Sequence, residues 1–302
     1  AAAGGHNALM IGSPGSGKSM LAKRIPSILP EMTRAESMET TQIYSIAGLL
    51  DPKQPLIRTR PFRSPHHTIS SVGLVGGGSV PHPGEISLAH NGLLFLDELA
   101  EFDHRTLEIM RQPLEDHRVT ITRAAGTITY PCSFMLVGAM NPCPCGYFGH
   151  PHRKCTCSDR QVRQYLNRIS GPLLDRFDLH IEVEPVSFDD LSAKTKSESS
   201  AEIRKRVQAA RERQTRRFAG TNIFCNAAIP AGKLQDYCML DSDALTLLHA
   251  VFDKLGLSAR AYDRILKVAR TIADLDQCDV IGKKHIASAA QFRSLDRKYW
   301  AQ

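Results

Sequence analysis

No run of apolar residues in this sequence is long enough to cross a bilayer, and no charged-then-apolar leader opens it. The expectation is therefore a soluble, cytoplasmic protein with no membrane partner. The sequence also lacks an initiating Met and begins only a few residues before its first apolar segment. A nucleotide-binding domain ordinarily has sequence upstream to cover the base, so the chain is expected to be part of a longer protein. Acidic residues are outnumbered, 38 Lys and Arg against 31 Asp and Glu, leaving +7 over 302 residues. That balance leans toward polyanions such as nucleic acid, and is also met on ordinary basic surfaces. The length suits one large or two smaller domains.

Cysteines are few, and their distribution is uneven. Cys132, Cys225, Cys238 and Cys278 are scattered and read as buried thiols. Cys143-Pro144-Cys145 and Cys155-Thr156-Cys157 are two C-x-C pairs separated by nine residues. Four thiolates so spaced are able to close a tetrahedral Zn2+ site, which would be structural because no coordination position stays open. Reduced free thiols are the alternative, with disulfides behind them in a reducing compartment. His150 and His152 lie in the same loop and could replace one thiolate.

What the sequence does have is Gly12-Ser13-Pro14-Gly15-Ser16-Gly17-Lys18-Ser19, which meets the pattern G-x-x-x-x-G-K-[ST] at every specified position. An apolar strand precedes it at 7–11 and helical spacing follows at 20–25. In that context backbone N–H groups turn inward around phosphate oxygens, and the helix N-terminus adds its positive dipole end. Lys18 would reach the β- and γ-phosphates of ATP and Ser19 would ligate Mg2+.

A second anchor is Gly92-Leu93-Leu94-Phe95-Leu96-Asp97-Glu98, a buried parallel strand with two carboxylates at its carboxyl end. Asp97 would hold Mg2+ and Glu98 would act as general base on the attacking water. A further strand, 134–141, ends in Asn141, placed to orient that water or sense the γ-phosphate. Between the two, 102–116 reads as one amphipathic helix, and 119–122 with 127–130 as a hairpin carrying Arg123 at its tip. Such a hairpin could touch a strand of nucleic acid, or be a plain surface hairpin. Arg176 lies in Leu173-Leu174-Asp175-Arg176-Phe177-Asp178, just before a last strand at 179–183. Held on a rigid element, it suits an arginine finger given to a neighbouring subunit; a surface pair with Asp175 or Asp178 is the alternative.

The remaining segments carry less chemistry. A helix is expected at 39–50. His66 and His67 could ligate metal, touch phosphate or be satisfied by backbone. Residues 70–88 are so rich in Gly and Pro that they read as a mobile insertion or hairpin outside the core. A polar linker is expected at 185–199, then a strongly basic helix from 200 to about 218, either a solvated face or a phosphate-contacting surface. Helical patterns at 240–300, capped by Asp241-Ser242-Asp243 and by Ser258 and ending with one helix over 284–297, complete an all-helical region.

Taken together, the phosphate loop, residues 93–98, Asn141 and residues 173–178 resemble AAA+ ATPases. The Gly-rich insertion and the hairpin before Asn141 resemble the branch holding magnesium chelatase motor subunits and replicative minichromosome-maintenance helicases. Arg60-Pro61-Phe62-Arg63-Ser64-Pro65-His66-His67, Pro83-Gly84-Glu85-Ile86-Ser87-Leu88-Ala89-His90 and Asn141-Pro142-Cys143-Pro144-Cys145-Gly146 look like the bacterial Mg-chelatase-like ComM/YifB family. The resemblance implies an α/β fold: an AAA+ core at 1–184 with hairpin insertions and the cysteine loop at 143–157, a linker at 185–199 and a helical lid at 200–302. It implies a hexameric, ATP-driven DNA motor associated with branch migration in natural transformation, or else a chelatase-type ATPase that remodels a partner protein. It also implies a Lon-protease-like N-terminal domain that these residues do not include. Carried over by position, residues 12–19 match the phosphate loop, Asp97 and Glu98 the Mg2+/water pair, Asn141 the sensor and Arg176 the trans-acting finger. The lid's sensor arginine falls on Arg260, which opens the helix facing the nucleotide in related lids, or on Arg264 one turn later.

Overall fold

The computed structural model describes residues 1–123, 126–185 and 198–300. Most of the expected linker, and Ala124 and Ala125 at the hairpin tip, lie outside them. In chain order the strands are β1 (Ala8–Ile11), β2 (Phe62–Arg63), β3 (Gly76–Gly77), β4 (His82–Pro83), β5 (Leu93–Leu96), β6 (Arg118–Arg123), β7 (Gly126–Pro131), β8 (Met135–Met140) and β9 (Leu179–Glu182).

Five of them form one sheet in the order β2-β5-β8-β1-β9, every neighbouring pair parallel. In-register partners include Leu96 with Gly138 and Ile11 with both Met140 and Glu182. A parallel sheet needs both faces covered, and its three central strands, β5, β8 and β1, are apolar throughout for that reason. Leu9, Ile11, Leu94, Leu96 and Leu136 join one core cluster with Leu74, Ile86, Leu107, Tyr165 and Phe177. Met10, Leu93, Phe95, Val137 and Ala139 join another with Ala22, Val207 and Ala210. Each fully buried Leu or Phe contributes about 1.5–3 kcal/mol, so these two layers fix the strand order.

Several elements depart from the sequence reading, each for a physical reason. The helix expected at 39–50 is Arg34–Ile46. Thr33 sets its start: Glu36 N donates to Thr33 Oγ1 at 3.2 Å and Thr33 N to Glu36 Oε2 at 2.7 Å, a capping box. The amphipathic stretch at 102–116 is two helices, His104–Ile109 and Arg111–Asp116. Pro113 lacks an N–H and crowds the carbonyl four residues back, which breaks the run near Met110. The final helix is likewise two, Lys283–Gln291 and Ser294–Tyr299. The pair Phe62–Arg63, within a Pro- and Arg-rich stretch, supplies the sheet's edge strand.

The largest correction concerns residues 70–88. They are a core element: a helix at Ser71–Val75, the small β3–β4 ribbon, and a helix at Glu85–Leu88, with Leu74 and Ile86 fully buried. Gly76, at φ +107, shows why glycine is needed; a Cβ there would lie 2.4 Å from the His82 carbonyl oxygen. The glycines of this segment serve close packing rather than mobility.

The β6–β7 hairpin forms its own two-stranded sheet. It is braced on the β3–β4 ribbon, with Tyr130 Oη donating to the Pro81 carbonyl at 2.9 Å and Ile121 against Gly76. After β9 come the helices Ser200–Arg217, Ser242–Leu255, Ala259–Leu275 and Lys283–Gln291, and the last three build a second, helical core around Leu248, Ile265, Ala269 and Ile286. Asp241 and Ser258 cap two of them as the sequence predicts, donated to by Ala244 N and Ala261 N. The basic helix Ser200–Arg217 buries Val207 and Ala210 on the sheet's second face, and several of its cations have partners. Arg217 pairs with Asp274, Arg213 with Asp279, and Arg204 donates to the Ser27 carbonyl. The closing helix Ser294–Tyr299 returns to the sheet's first core cluster through Leu295 and Tyr299. No helix among the described residues is long and apolar enough to cross a membrane.

A candidate nucleotide site and a separate arginine cleft

Strand order brings the sequence motifs together. β5, β8 and β1 are adjacent, so the segments leaving their carboxyl ends meet: Asp97 after β5, Asn141 after β8, and the phosphate loop after β1. The chain leaves β1 for the far edge at β2, so the loop sits at a topological switch point, where sites of open α/β sheets form.

Lys18 opens the helix Lys18–Arg24 and is buried. Its Nζ donates to the carbonyls of Gly12 and Ser13 at 2.8 and 2.9 Å and to Asn141 Oδ1 at 3.2 Å. Burial lowers its pKa below the usual lysine value, and the Asp97 charge opposes this. Ser19 Oγ donates to Asp97 Oδ2 at 2.6 Å, so the two side chains matched to a Mg2+ site already face each other. Ser16 Oγ is buried with no partner among the described residues, a polar atom turned into the loop. An orphaned hydroxyl, a lysine and a Ser–Asp pair fit a Mg2+-bound polyphosphate.

Glu98 adopts φ +52, a left-handed conformation that a non-glycine residue rarely takes. Its carboxylate lies 3.1 Å from His67 Nδ1. Of the histidine pair, then, His67 faces the expected general base, while His66 Nδ1 bonds locally to Thr68 Oγ1 at 2.9 Å. The role of His67 has no signal in sequence beyond its place in the Arg60–His67 motif.

Arg176 and Arg260 are elsewhere. They line a cleft of about 1050 Å³ together with Glu115, Asp178, Arg264 and Lys267. Arg176 is mostly buried, and its guanidinium pairs with Glu115 on the helix before the β6–β7 hairpin. Burial lowers its pKa, and Arg264, Arg260 and Arg111 nearby lower it further. Its carbonyl accepts from Asn7 Nδ2 at 2.9 Å, and Asn7 Oδ1 accepts from Leu136 N at 2.7 Å, tying this loop to the sheet. Arg260 is exposed, 3.8 Å from Asp175. Arg264 Nη1 bonds Asp178 Oδ1 at 3.1 Å. Asp178 is pushed down to about 2: its burial works the other way, but His6, Arg264 and Lys267 outweigh it. Among the described residues no hydrogen bond or ion pair joins Arg176 or Arg260 to Lys18, Ser19, Asp97 or Asn141. The resemblance sets Arg260 on a helix facing the nucleotide; here it shares the cleft of Arg176. Nothing in the sequence marks Glu115 or Asn7.

Arg123 is exposed at the end of β6, its guanidinium against Gly77 of β3 and Nη1 donating to the Thr122 carbonyl at 2.9 Å. The four expected thiols gather into one cluster. Cys143 Sγ is 3.4 Å from Cys145 Sγ and 3.7 Å from Cys155 Sγ, and all four sulfurs lie within 4.8 Å of one another. A tetrahedron with ligand bonds near 2.3 Å has edges of about 3.8 Å, which this cluster approaches. His150 Nδ1 instead accepts from His152 N and Arg153 N, both at 3.0 Å, and neither histidine joins the thiols.

Comparison with known proteins fits this geometry. The family described as magnesium chelatase, subunit ChlI, matches residues 1–191, and its C-terminal companion matches residues 197–293. The chain belongs to this magnesium chelatase family. With it comes the AAA+ fold, which the five-stranded parallel sheet and the helical region display. Within it the chain falls with the ComM/YifB proteins. It is 48% identical over 298 residues to the uncharacterized protein YifB of Escherichia coli, and 45% over 302 residues to the competence protein ComM of Haemophilus influenzae. Each match covers 98% of this chain and 57% of the relative, so the chain spans little more than half the length of these curated relatives. The magnesium-chelatase 38 kDa subunit of Cereibacter sphaeroides is 20% identical over 301 residues, covering 93% of this chain and 81% of the subunit.

Proposed function

We propose that this chain is the motor portion of a cytoplasmic, ATP-driven DNA translocase that works as a hexameric ring and promotes branch migration during natural transformation and recombination. The observation that carries the ring is the separation of the two basic sites. The phosphate loop's cation, Lys18, is engaged within its own loop, while Arg176 and Arg260 stand in a different cleft. An arginine finger that does not reach its own phosphate loop serves the neighbour's in a head-to-tail assembly, and such contacts close into rings. The name of the ComM relative supports the competence role, and the net charge of +7 supports a polyanionic partner.

In this reading the nucleotide core is 1–184 and the helical lid 200–302. Residues 12–19 wrap the phosphates, Lys18 binds the β- and γ-oxygens, and Ser19 and Asp97 hold Mg2+, which when bound offsets phosphate charge. Glu98 takes the proton of the attacking water after leaving His67, Asn141 orients that water, and Arg176 leaves Glu115 to complete the adjacent subunit's site with Arg260 beside it. Arg123 on the braced hairpin contacts DNA. Cys143, Cys145, Cys155 and Cys157 hold one structural Zn2+. The deciding experiment mixes Lys18→Ala and Arg176→Ala proteins in the presence of forked or three-stranded DNA. Restored ATP turnover is expected; failure to restore it, with wild type active as a monomer, overturns the reading.

The family's chelatase members favour a second reading, an ATPase that remodels a partner polypeptide. It shares the nucleotide site. A DNA affinity that falls steeply with salt supports the translocase, and ATP turnover indifferent to any DNA supports the remodeller.

A further inference from the structure

Between Met140 and Asp159 the chain runs without strand or helix, a stretch longer than loops in compact domains usually are. It nevertheless sits between two functional elements. Two residues before Cys143 is Asn141, whose Oδ1 accepts from Lys18 Nζ at 3.2 Å. One residue after Cys145 is Gly146, at φ +84, pressed onto the phosphate loop itself: a Cβ there would lie 2.5 Å from Pro14 Cδ and 2.6 Å from Pro14 Cγ. On the other side Phe148 meets Tyr299 with ring centroids 6.3 Å apart, and Cys145, Cys155 and Cys157 pack in the same core cluster as Leu295.

The thiols organise this loop. Phe148 N points at Cys143 Sγ at 3.3 Å and Cys145 N at Cys157 Sγ at 3.4 Å, the N–H···S contacts that stabilise a thiolate. Neutral thiols do not cross-link one another, whereas a bound metal turns the four sulfurs into one rigid joint and adds its binding energy to the loop's folding.

We infer that the cysteine loop is a metal-set back wall of the nucleotide site. Metal at Cys143, Cys145, Cys155 and Cys157 fixes Gly146 against Pro14 and Asn141 against Lys18, so Zn2+ and nucleotide bind with positive coupling. The inference rests on the zinc reading above and goes beyond a purely structural metal. Coupling of this kind is reciprocal: whatever factor zinc adds to nucleotide affinity, nucleotide adds to zinc affinity.

The test measures both directions on the purified chain, with Zn2+ and a fluorescent, slowly hydrolysed ATP analogue as probes. Protein purified without chelator is expected to carry about one zinc per chain. Stripping the zinc, with fold followed by circular dichroism, is expected to weaken analogue binding about five-fold or more, and zinc re-addition to restore it. The analogue is expected to slow zinc loss to a chelating dye. Gly146→Ala serves if the stripped protein unfolds: zinc stays near one per chain while analogue binding weakens. Absence of zinc in the purified protein overturns the zinc reading and the coupling with it. Zinc present, with equal analogue affinity in the loaded and the stripped, folded protein, overturns the coupling alone. A zinc-loaded Gly146→Ala protein of wild-type affinity does the same.

Discussion

At the phosphate loop Lys18 bonds its own loop carbonyls and Asn141, and Ser19 bonds Asp97. In the arginine cleft the groups come from segments far apart in sequence, Glu115, Arg176, Asp178, Arg260 and Arg264, and several cations crowd together. The loop is assembled by three neighbouring strand ends and belongs to one chain. The cleft is assembled by packing the helix Ala259–Leu275 onto the loop before β9, where Arg264 pairs with Asp178. This contrast is what the proposed trans-acting role of Arg176 rests on.

Breaking the nucleotide site should cost most. Glu98→Gln is expected to lower ATP turnover by about 10²–10⁴-fold while leaving nucleotide affinity near wild type, read by steady-state turnover and analogue binding. The cleft comes next. Arg176→Ala is expected to cost about a thousand-fold in turnover, and mixing with Lys18→Ala should recover part of it; a loss that no partner rescues would place Arg176 in its own subunit's site.

Smaller effects sharpen the same contrast. The Asp178 carboxylate, its pKa pushed down to about 2 from an unfolded value near 3.8, contributes stability that is full above about pH 4. That contribution is lost as pH falls through 2, and acid denaturation of Asp178→Asn should lack this component, on the order of 2 kcal/mol. Glu115→Gln releases Arg176 from its partner in the free chain. Turnover at low protein concentration should rise, up to about five-fold, because a partly exposed pair is worth about 1 kcal/mol or less. A fall instead would make Glu115 a positioning residue. Arg123→Ala should leave DNA-free turnover unchanged and reduce the salt slope of DNA binding by about one; an unchanged slope removes the hairpin from the DNA path.

The elements read well from sequence were those whose chemistry is local. An apolar strand followed by a glycine-rich loop and Lys-Ser, or ending in Asp-Glu or Asn, carries its own geometry, because strand, turn and helix are fixed within about ten residues. The two C-x-C pairs were legible for the same reason. Residues 70–88 misled because composition reported glycine and proline, whereas Leu74 and Ile86 decided the burial. The helix at Arg34–Ile46 was shifted because its Thr33–Glu36 capping box outweighs the apolar spacing further along.

By itself, then, the sequence marked the motifs of the candidate nucleotide site: the glycine-rich loop with Lys18 and Ser19, the Asp97–Glu98 pair, Asn141, and the strands that carry them. Only the tertiary structure decided which groups face one another. It put Arg260 with Arg176, Glu115 on Arg176, His67 on Glu98 and Gly146 on Pro14. The physical reason is range. Hydrogen bonds along a turn are written in neighbouring residues, while the side a helix presents after a hundred residues depends on how two hydrophobic cores pack, and no local pattern encodes that.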